Sequence, residues 1–287
     1  MSTSVFSEIL DGLYDNTIVP YLGSGVLFDA KNKQTGAPMP ADSNSLILAM
    51  NNGSPMAPKL MYEFPRAAMN QELKRGRNFL GQFLTKLYGE TEWTRAAVHD
   101  WLAEWRPHYA IDINRDSQLQ DSYADEEHTL IVGLARITAS NYRFKAYYYD
   151  GGEYFPIVQE QVDPSLPILF KPMGTPKPEA DYVASDADYV DYITELMGGF
   201  AIPDFLKAYR KDKRYLLLGM PLNRDSERMV MSDITYDAGS PRGWVLNKNP
   251  TPKEIRFCKK VGLEIINADV VDLLNLVGFG EDSRKMA

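Results

Sequence analysis

The side chains able to do chemistry in this chain gather at the ends of apolar runs. Thr17-Ile18-Val19-Pro20-Tyr21-Leu22 reads as a buried strand running into the turn Gly23-Ser24-Gly25-Val26. Small residues there let a backbone come very close to a bound group. Backbone N–H groups at such a turn suit the pyrophosphate of a dinucleotide. A glycine turn is also an ordinary strand end, so later motifs have to support the reading. Tyr109-Ala110-Ile111-Asp112-Ile113 leads into Asn114-Arg115-Asp116. Polar groups at the C-terminal end of a parallel strand lie where open α/β sheets place their ligands.

The histidines are His99, His108 and His128. Each reads as a surface or packing residue. His99 falls within a helix, His108 precedes a strand at the end away from the expected ligand, and His128 falls in the loop Asp125-Glu126-Glu127-His128. No His, Cys or carboxylate spacing points to a metal, and there is no Gly-x-Ser-x-Gly elbow. The single cysteine, Cys258, rules out an internal disulfide and a cysteine-rich zinc site. Its place in the amphipathic segment Glu254-Ile255-Arg256-Phe257-Cys258 reads as a core thiol.

The elements that must position these groups alternate between strand and helix. Val5, Phe6, Ile9, Leu10 and Leu13 form one stripe of a helix over 4–15. Residues 29–59, with four prolines, read as a loop, and a long loop straight after a phosphate turn reads as a lid or binding loop. Residues 66–88 and 93–105 read as two helices, with Trp93, Trp101 and Trp105 on a core face. Arg66 opens the first and could reach a phosphate or stay in solvent. Residues 129–133 and 144–149 alternate as a hairpin insertion with a turn at Asp150-Gly151-Gly152.

Further strands are expected at 167–171, 214–219, 243–247 and 263–267, and helices at 186–198, 203–210, after the fourth strand, and at 269–277. Thr251-Pro252-Lys253-Glu254 carries a capping box at the start of another helix. Six apolar strands separated mostly by helices predict an α/β fold: a doubly wound, mainly parallel, six-stranded Rossmann-like sheet. The chain reads as a single domain over 1–287, with a helical insertion at about 27–105 and a β-hairpin insertion at 120–165.

Composition narrows the function. A net charge of −8 argues against nucleic acid as the main partner, since phosphate contacts need concentrated Lys and Arg. A nucleotide ligand is compatible, because backbone amides can hold its pyrophosphate. No apolar run approaches the roughly 20 residues of a membrane helix. Met1-Ser2-Thr3-Ser4 lacks the features of a signal peptide, so a cytoplasmic location is expected.

The order of motifs resembles the SIR2-like (sirtuin-related) family of NAD-binding proteins, in its zinc-free bacterial branch. The resemblance runs along nearly the whole chain. Gly23-Ser24-Gly25-Val26 is similar to the family's first glycine turn, and Asp112-Ile113-Asn114-Arg115-Asp116 to its Thr-Thr-Asn-Tyr-Asp strand end. Lys171-Pro172-Met173-Gly174-Thr175 lies where the family has Lys-Leu-His-Gly-Ser. Leu218-Gly219-Met220-Pro221-Leu222 resembles the Gly-Tyr-Ser-Leu turn. Val245-Leu246-Asn247 and Asn267-Ala268-Asp269 resemble the two strand ends near the adenosine.

The resemblance implies NAD, ADP-ribose or a related adenine nucleotide as ligand. Gly23, Ser24, Gly25 and Val26, with Gly174 and Gly219, would face it, the Gly25 and Val26 N–H groups meeting the pyrophosphate. Asn114 would hold the nicotinamide ribose or an attacking water. Asp116 would fix that loop or favour an oxocarbenium-like centre; capping the next helix is its plain alternative. Asn247 and Asp269 would meet the adenosine ribose, with capping or turn roles as the alternative.

The departures bear on turnover. The family's general-base histidine falls on Met173, whose thioether takes no proton near pH 7. Pro221 replaces a serine or threonine and has neither N–H nor hydroxyl to offer. Three readings therefore stay open. The first is a noncatalytic or weakly active nucleotide sensor or regulatory module. The second is an NAD glycohydrolase, of the kind that serves phage defence. The third is a structural subunit that binds a protein partner or a second copy through the 29–59 loop or the tyrosine-rich hairpin. Zinc-dependent deacetylation fits least.

Overall fold

The computed structural model describes residues 3–136 and 142–280. The strands are β1 (Ile18–Leu22), β2 (Tyr109–Asp112), β3 (His128–Gly133), β4 (Phe144–Tyr149), β5 (Tyr154–Ile157), β6 (Ile168–Lys171), β7 (Gly174–Thr175), β8 (Asp181–Tyr182), β9 (Arg214–Leu218), β10 (Gly243–Leu246) and β11 (Leu263–Ile266). The helices are α1 (Thr3–Tyr14), α2 (Ser43–Met50), α3 (Phe64–Arg75), α4 (Arg77–Thr85), α5 (Ala97–Trp105), α6 (Gln118–Asp121), α7 (Asp186–Gly198), α8 (Asp204–Tyr209), α9 (Asp225–Ile234), α10 (Pro252–Val261) and α11 (Val270–Leu276).

Nine strands form one sheet in the order β11-β10-β9-β1-β2-β6-β3-β4-β5, parallel from β11 through β3. The strands β4 and β5 add antiparallel at one edge. Side chains of successive residues go to opposite faces. Ile18, Leu22, Leu216 and Leu218 join the core that contains residues of α1, α5 and α11. Val19, Tyr21, Tyr215 and Leu217 join the core that contains residues of α7, α9 and α10. Helices thus cover both faces, as a parallel sheet requires.

The six expected strands are β1, β2, β6, β9, β10 and β11, but the six-stranded sheet is corrected to nine. The hairpin does not stand apart: β3 pairs in parallel with β6, placing Thr129 opposite Ile168. All six β3 residues are buried, so its apolar run is that of an interior strand. His128, expected in a loop, is the first residue of β3. The Asp150-Gly151-Gly152 turn joins β4 to β5, with Asp150 Oδ1 accepting from the N–H groups of Gly152 and Glu153.

Three helix expectations also change. The single helix over 66–88 breaks at Gly76, whose φ of 85° ends α3 and precedes α4. Residues 93–96 lie outside α5, where the Trp93 indole donates to the Leu87 carbonyl. The loop over 29–59 contains α2, capped by Asp42, whose Oδ1 accepts from Asn44 N and Ser45 N. The capping box at Thr251 and Glu254 forms as expected. Cys258 is buried in the core that holds residues of α7 and α9, and Trp101 in the core on the opposite face of the sheet. Among the described residues no helix is long and apolar enough to cross a membrane.

Candidate functional site

Strand order reverses at β1. One side of it carries β2, β6 and β3, and the other carries β9, β10 and β11. The C-terminal ends of β1, β2 and β9 therefore open a crevice, the general ligand position in such sheets. Ser24 lines it from the turn after β1, and Asn114 and Arg115 line it after β2. Pro221, Ser226 and Glu227 line it after β9. Ala41, Ser43, Leu46, residues 63–65 and Tyr88 complete its lining. The crevice leaves about 50 Å³ for the centres of water-sized molecules. That is room for a few waters, at roughly 10–15 Å³ each.

The two glycine turns beside it pack backbone on backbone. Gly23 N–H donates to Leu218 O at 2.8 Å, and Gly25 N–H donates to Gly219 O at 2.9 Å. Val26 N–H donates to Gly23 O at 3.2 Å. The Gly25 and Val26 N–H groups, expected to face a pyrophosphate, are thus both bonded within the protein. Their glycines instead allow the two turns to touch. Gly219 has φ +60°, and a Cβ on it would lie 2.5 Å from Val26 N and 2.6 Å from the Gly25 carbonyl carbon. Gly219→Ala should cost about 2–4 kcal/mol in urea unfolding, because strain and backbone overlap add. Gly36→Ala is the control: φ is +71°, but nothing lies within 4 Å of the added Cβ. It should cost only about 1 kcal/mol. Equal losses in the two variants would show that the contact between the turns contributes nothing.

Asn114 ties the second strand end to the first. Its Nδ2 donates to Gly23 O at 3.0 Å and to Asp112 Oδ1 at 2.8 Å. Its backbone N–H also donates to Asp112 Oδ1, at 2.9 Å. Asp112 is held in turn by Lys171, whose Nζ lies 2.6 Å from Oδ2, with both side chains fully buried. Asp116 Oδ1 accepts from Gln118 N at 2.8 Å, two residues on, while the N-cap of α6 is Ser117, whose side chain makes no capping bond. Burial pushes the Asp116 carboxyl above the usual range, against the pull of Lys171. Asp116 does not line the crevice.

Gly174, Asn247 and Asp269 do not line the crevice, and neither do Gly23, Gly25, Val26 and Gly219. Gly174 has φ +87° where β7 pairs with β8, and a Cβ there would meet Asp181 O at 2.0 Å. Asn247 follows β10 and its Oδ1 accepts from Asn249 N. Asp269 caps α11, accepting from Asp272 N, and pairs with Lys248 at 2.8 Å. Met173 is buried. Arg66 sits beside Glu63, at 3.9 Å, with its guanidinium over the Tyr62 ring.

Several groups escaped the sequence reading. Arg115 donates through Nε and Nη2 to Val183 O, and through Nη2 to Tyr189 OH. This fastens the β2 end to the start of α7. Glu63 and Glu227 both line the crevice. The Ser226 hydroxyl donates to Glu63 Oε2 at 3.3 Å, while Glu227 Oε2 is buried with no hydrogen-bond partner among the described residues. Burial, with Glu63 close by, pushes the Glu227 carboxyl up to about 8. Nothing in the spacing of these two residues announced it.

Behind the crevice His99, Asp112 and Asp116 bring one ligand atom each to within 4.8 Å of one another. Neither ring nitrogen of His99 has a partner among the described residues. The cation on Asp112 there is the Lys171 ammonium. The visible signal was a charged residue closing an apolar strand, Asp112 after Tyr-Ala-Ile and Lys171 after Ile-Leu-Phe. Compared with protein-family models and with curated proteins, the chain matches none.

Proposed function

We propose that the crevice binds NAD or a related adenine nucleotide such as ADP-ribose, and that the protein acts as a SIR2-like nucleotide sensor or regulatory module. One observation carries this reading. Ser24, Asn114 and Pro221, from the ends of three different strands, line one crevice at the point where strand order reverses. Asn114 brings an amide to it, a group that can donate and accept at once. Asn247 and Asp269 continue the same edge toward where the adenosine would lie. Met173 and Pro221 supply neither imidazole nor hydroxyl, which favours binding over rapid turnover.

Sites for ligands of this class measure roughly 300–1,000 Å³. Entry of a nucleotide therefore requires the lining from residues 41–46 and 63–65 to move outward. Isothermal titration with NAD, NADH and ADP-ribose tests the reading. At least one should bind below millimolar concentration, and Asn114→Ala should weaken it about tenfold, or ~1.4 kcal/mol. Silence from all three ligands at millimolar concentration removes it.

A further inference from the structure

Arg115 is a buried cation whose hydrogen bonds all go to neutral groups. It is 8% exposed and lines the crevice. Its Nε and Nη2 donate to the Val183 carbonyl and the Tyr189 hydroxyl, and Nη1 has no partner among the described residues. The Phe64 ring lies 5.4 Å from its guanidinium carbon. Arg115 stands where the resembled strand end Thr-Thr-Asn-Tyr-Asp has tyrosine, so that motif does not supply this cation.

A second cation lines the same space. Arg224 is the N-cap residue of α9, and its guanidinium lies over the Tyr62 ring at 4.0 Å. Its side chain makes no hydrogen bond among the described residues. Among those residues, no carboxylate oxygen lies within 4.0 Å of either guanidinium. Taking a cation out of water is costly unless an anion offsets it. The two arginines come from the ends of β2 and β9, on either side of β1, so the fold brings them to one crevice.

We infer that this crevice is a subsite for a single phosphate group, free or at the end of a phosphomonoester, with Arg115 and Arg224 as its counter-ions. Two guanidinium groups suit a dianion, and the planar fork of arginine suits phosphate oxygens. Nη1 of Arg115 and the Arg224 guanidinium donate to the oxygens. The Ser24 hydroxyl, which has no partner among the described residues, donates to another. About 50 Å³ for the centres of water-sized molecules suits one such group in place of a few waters. A diphosphate bridge continues on both sides and does not fit that room. The subsite therefore goes beyond the nucleotide reading and does not rest on it.

Two carboxyl groups share the lining. Glu63 has the Ser226 hydroxyl as a donor and the Arg66 guanidinium 3.9 Å from Oε1. Burial is the largest influence on Glu227 and pushes it up to about 8, so at pH 7 it brings a proton that a phosphate oxygen can accept.

Isothermal titration at pH 7 in chloride buffer, on the full chain, uses inorganic phosphate, ribose 5-phosphate and ADP-ribose. Wild type should bind phosphate or ribose 5-phosphate with a dissociation constant below about 1 mM. Arg224→Gln should weaken that binding at least about tenfold, the span of one charge-assisted hydrogen bond. This variant breaks no hydrogen bond among the described residues, so it should unfold at the wild-type urea concentration. Arg115→Gln should weaken binding at least as much. It also loses the bonds to Val183, so its urea midpoint is measured alongside. Ribose 5-phosphate bound at least about tenfold tighter than phosphate assigns the site to an ester, and equal affinities assign it to the free anion. Silence from both probes at about 10 mM overturns the subsite. So does an affinity that Arg224→Gln leaves unchanged in a folded protein. Binding of ADP-ribose alone removes the subsite and leaves the nucleotide reading standing. Binding of phosphate or ribose 5-phosphate, with silence from NAD, NADH and ADP-ribose, does the reverse.

Discussion

Lys171→Met should destabilise the protein by about 3–5 kcal/mol in urea unfolding, the range for breaking one side of a buried ion pair. Lys171 Nζ lies 2.6 Å from Asp112 Oδ2, and both side chains are 0% exposed. Removing the ammonium strands a carboxylate where water cannot reach it. Asp112 also receives the backbone and side-chain N–H groups of Asn114, so the loss reaches the crevice. Lys171→Met/Asp112→Asn should recover more than half of the stability. The amide carries no charge, and its carbonyl oxygen still accepts from Asn114. A single-variant loss below about 1 kcal/mol would mean that Asp112 is not charged in the fold, and the account of Asn114 positioning would have to be rebuilt.

Acid should expose the second large effect. Burial lowers the His99 imidazole from its ordinary value to about 4. Above pH 6.5 the ring is neutral in both folded and unfolded chains, and the stability it permits is fully present. As pH falls below 6.5 the unfolded chain takes up a proton that the folded chain refuses until about pH 4. The loss across that window is roughly 3 kcal/mol, by linkage at about 1.4 kcal/mol per pH unit. His128 is lowered to about 4 in the same direction, again by burial. Asp116 and Glu227 pull the other way, because their folded-state pKa values are raised and they gain stability as pH falls. The comparison therefore has to be made between variants. His99→Leu should lose roughly 3 kcal/mol less than wild type between pH 7 and pH 4. Parallel stability profiles for the two proteins would show that the ring ionises freely in the fold.

Much of the scaffold was legible because its signals are local. The strands β1, β2, β6, β9, β10 and β11 are short apolar runs bounded by turn residues, and they end within a residue of where those residues placed them. The Thr251–Glu254 capping box depends on four consecutive residues and forms accordingly. The sheet's width was not legible. Thr129-Leu130-Ile131-Val132-Gly133 has the composition of an interior strand and of a hairpin arm alike, and only the partner β6 distinguishes them. The helix α2 hid among prolines and glycines, although Asp42 ahead of Ser43 carries its cap.

The candidate site divides along the same line. The residue types that close each strand were set by the sequence alone: the glycine turn at 23–26, Asn114 after β2, Met173 after β6 and Pro221 after β9. Those are properties of a few adjacent residues, and no folding is needed to read them. Which strand ends meet was decided only by tertiary structure. Strand order put Ser24, Asn114 and Pro221 around one crevice and left Asn247, Asp269 and Gly174 outside it. It turned the Gly25 N–H toward Gly219 O, and it brought Glu227 on α9 and Glu63 to the lining of one crevice. Contacts between residues far apart in the chain leave no periodicity in sequence, because they arise from how the layers stack and not from any local spacing.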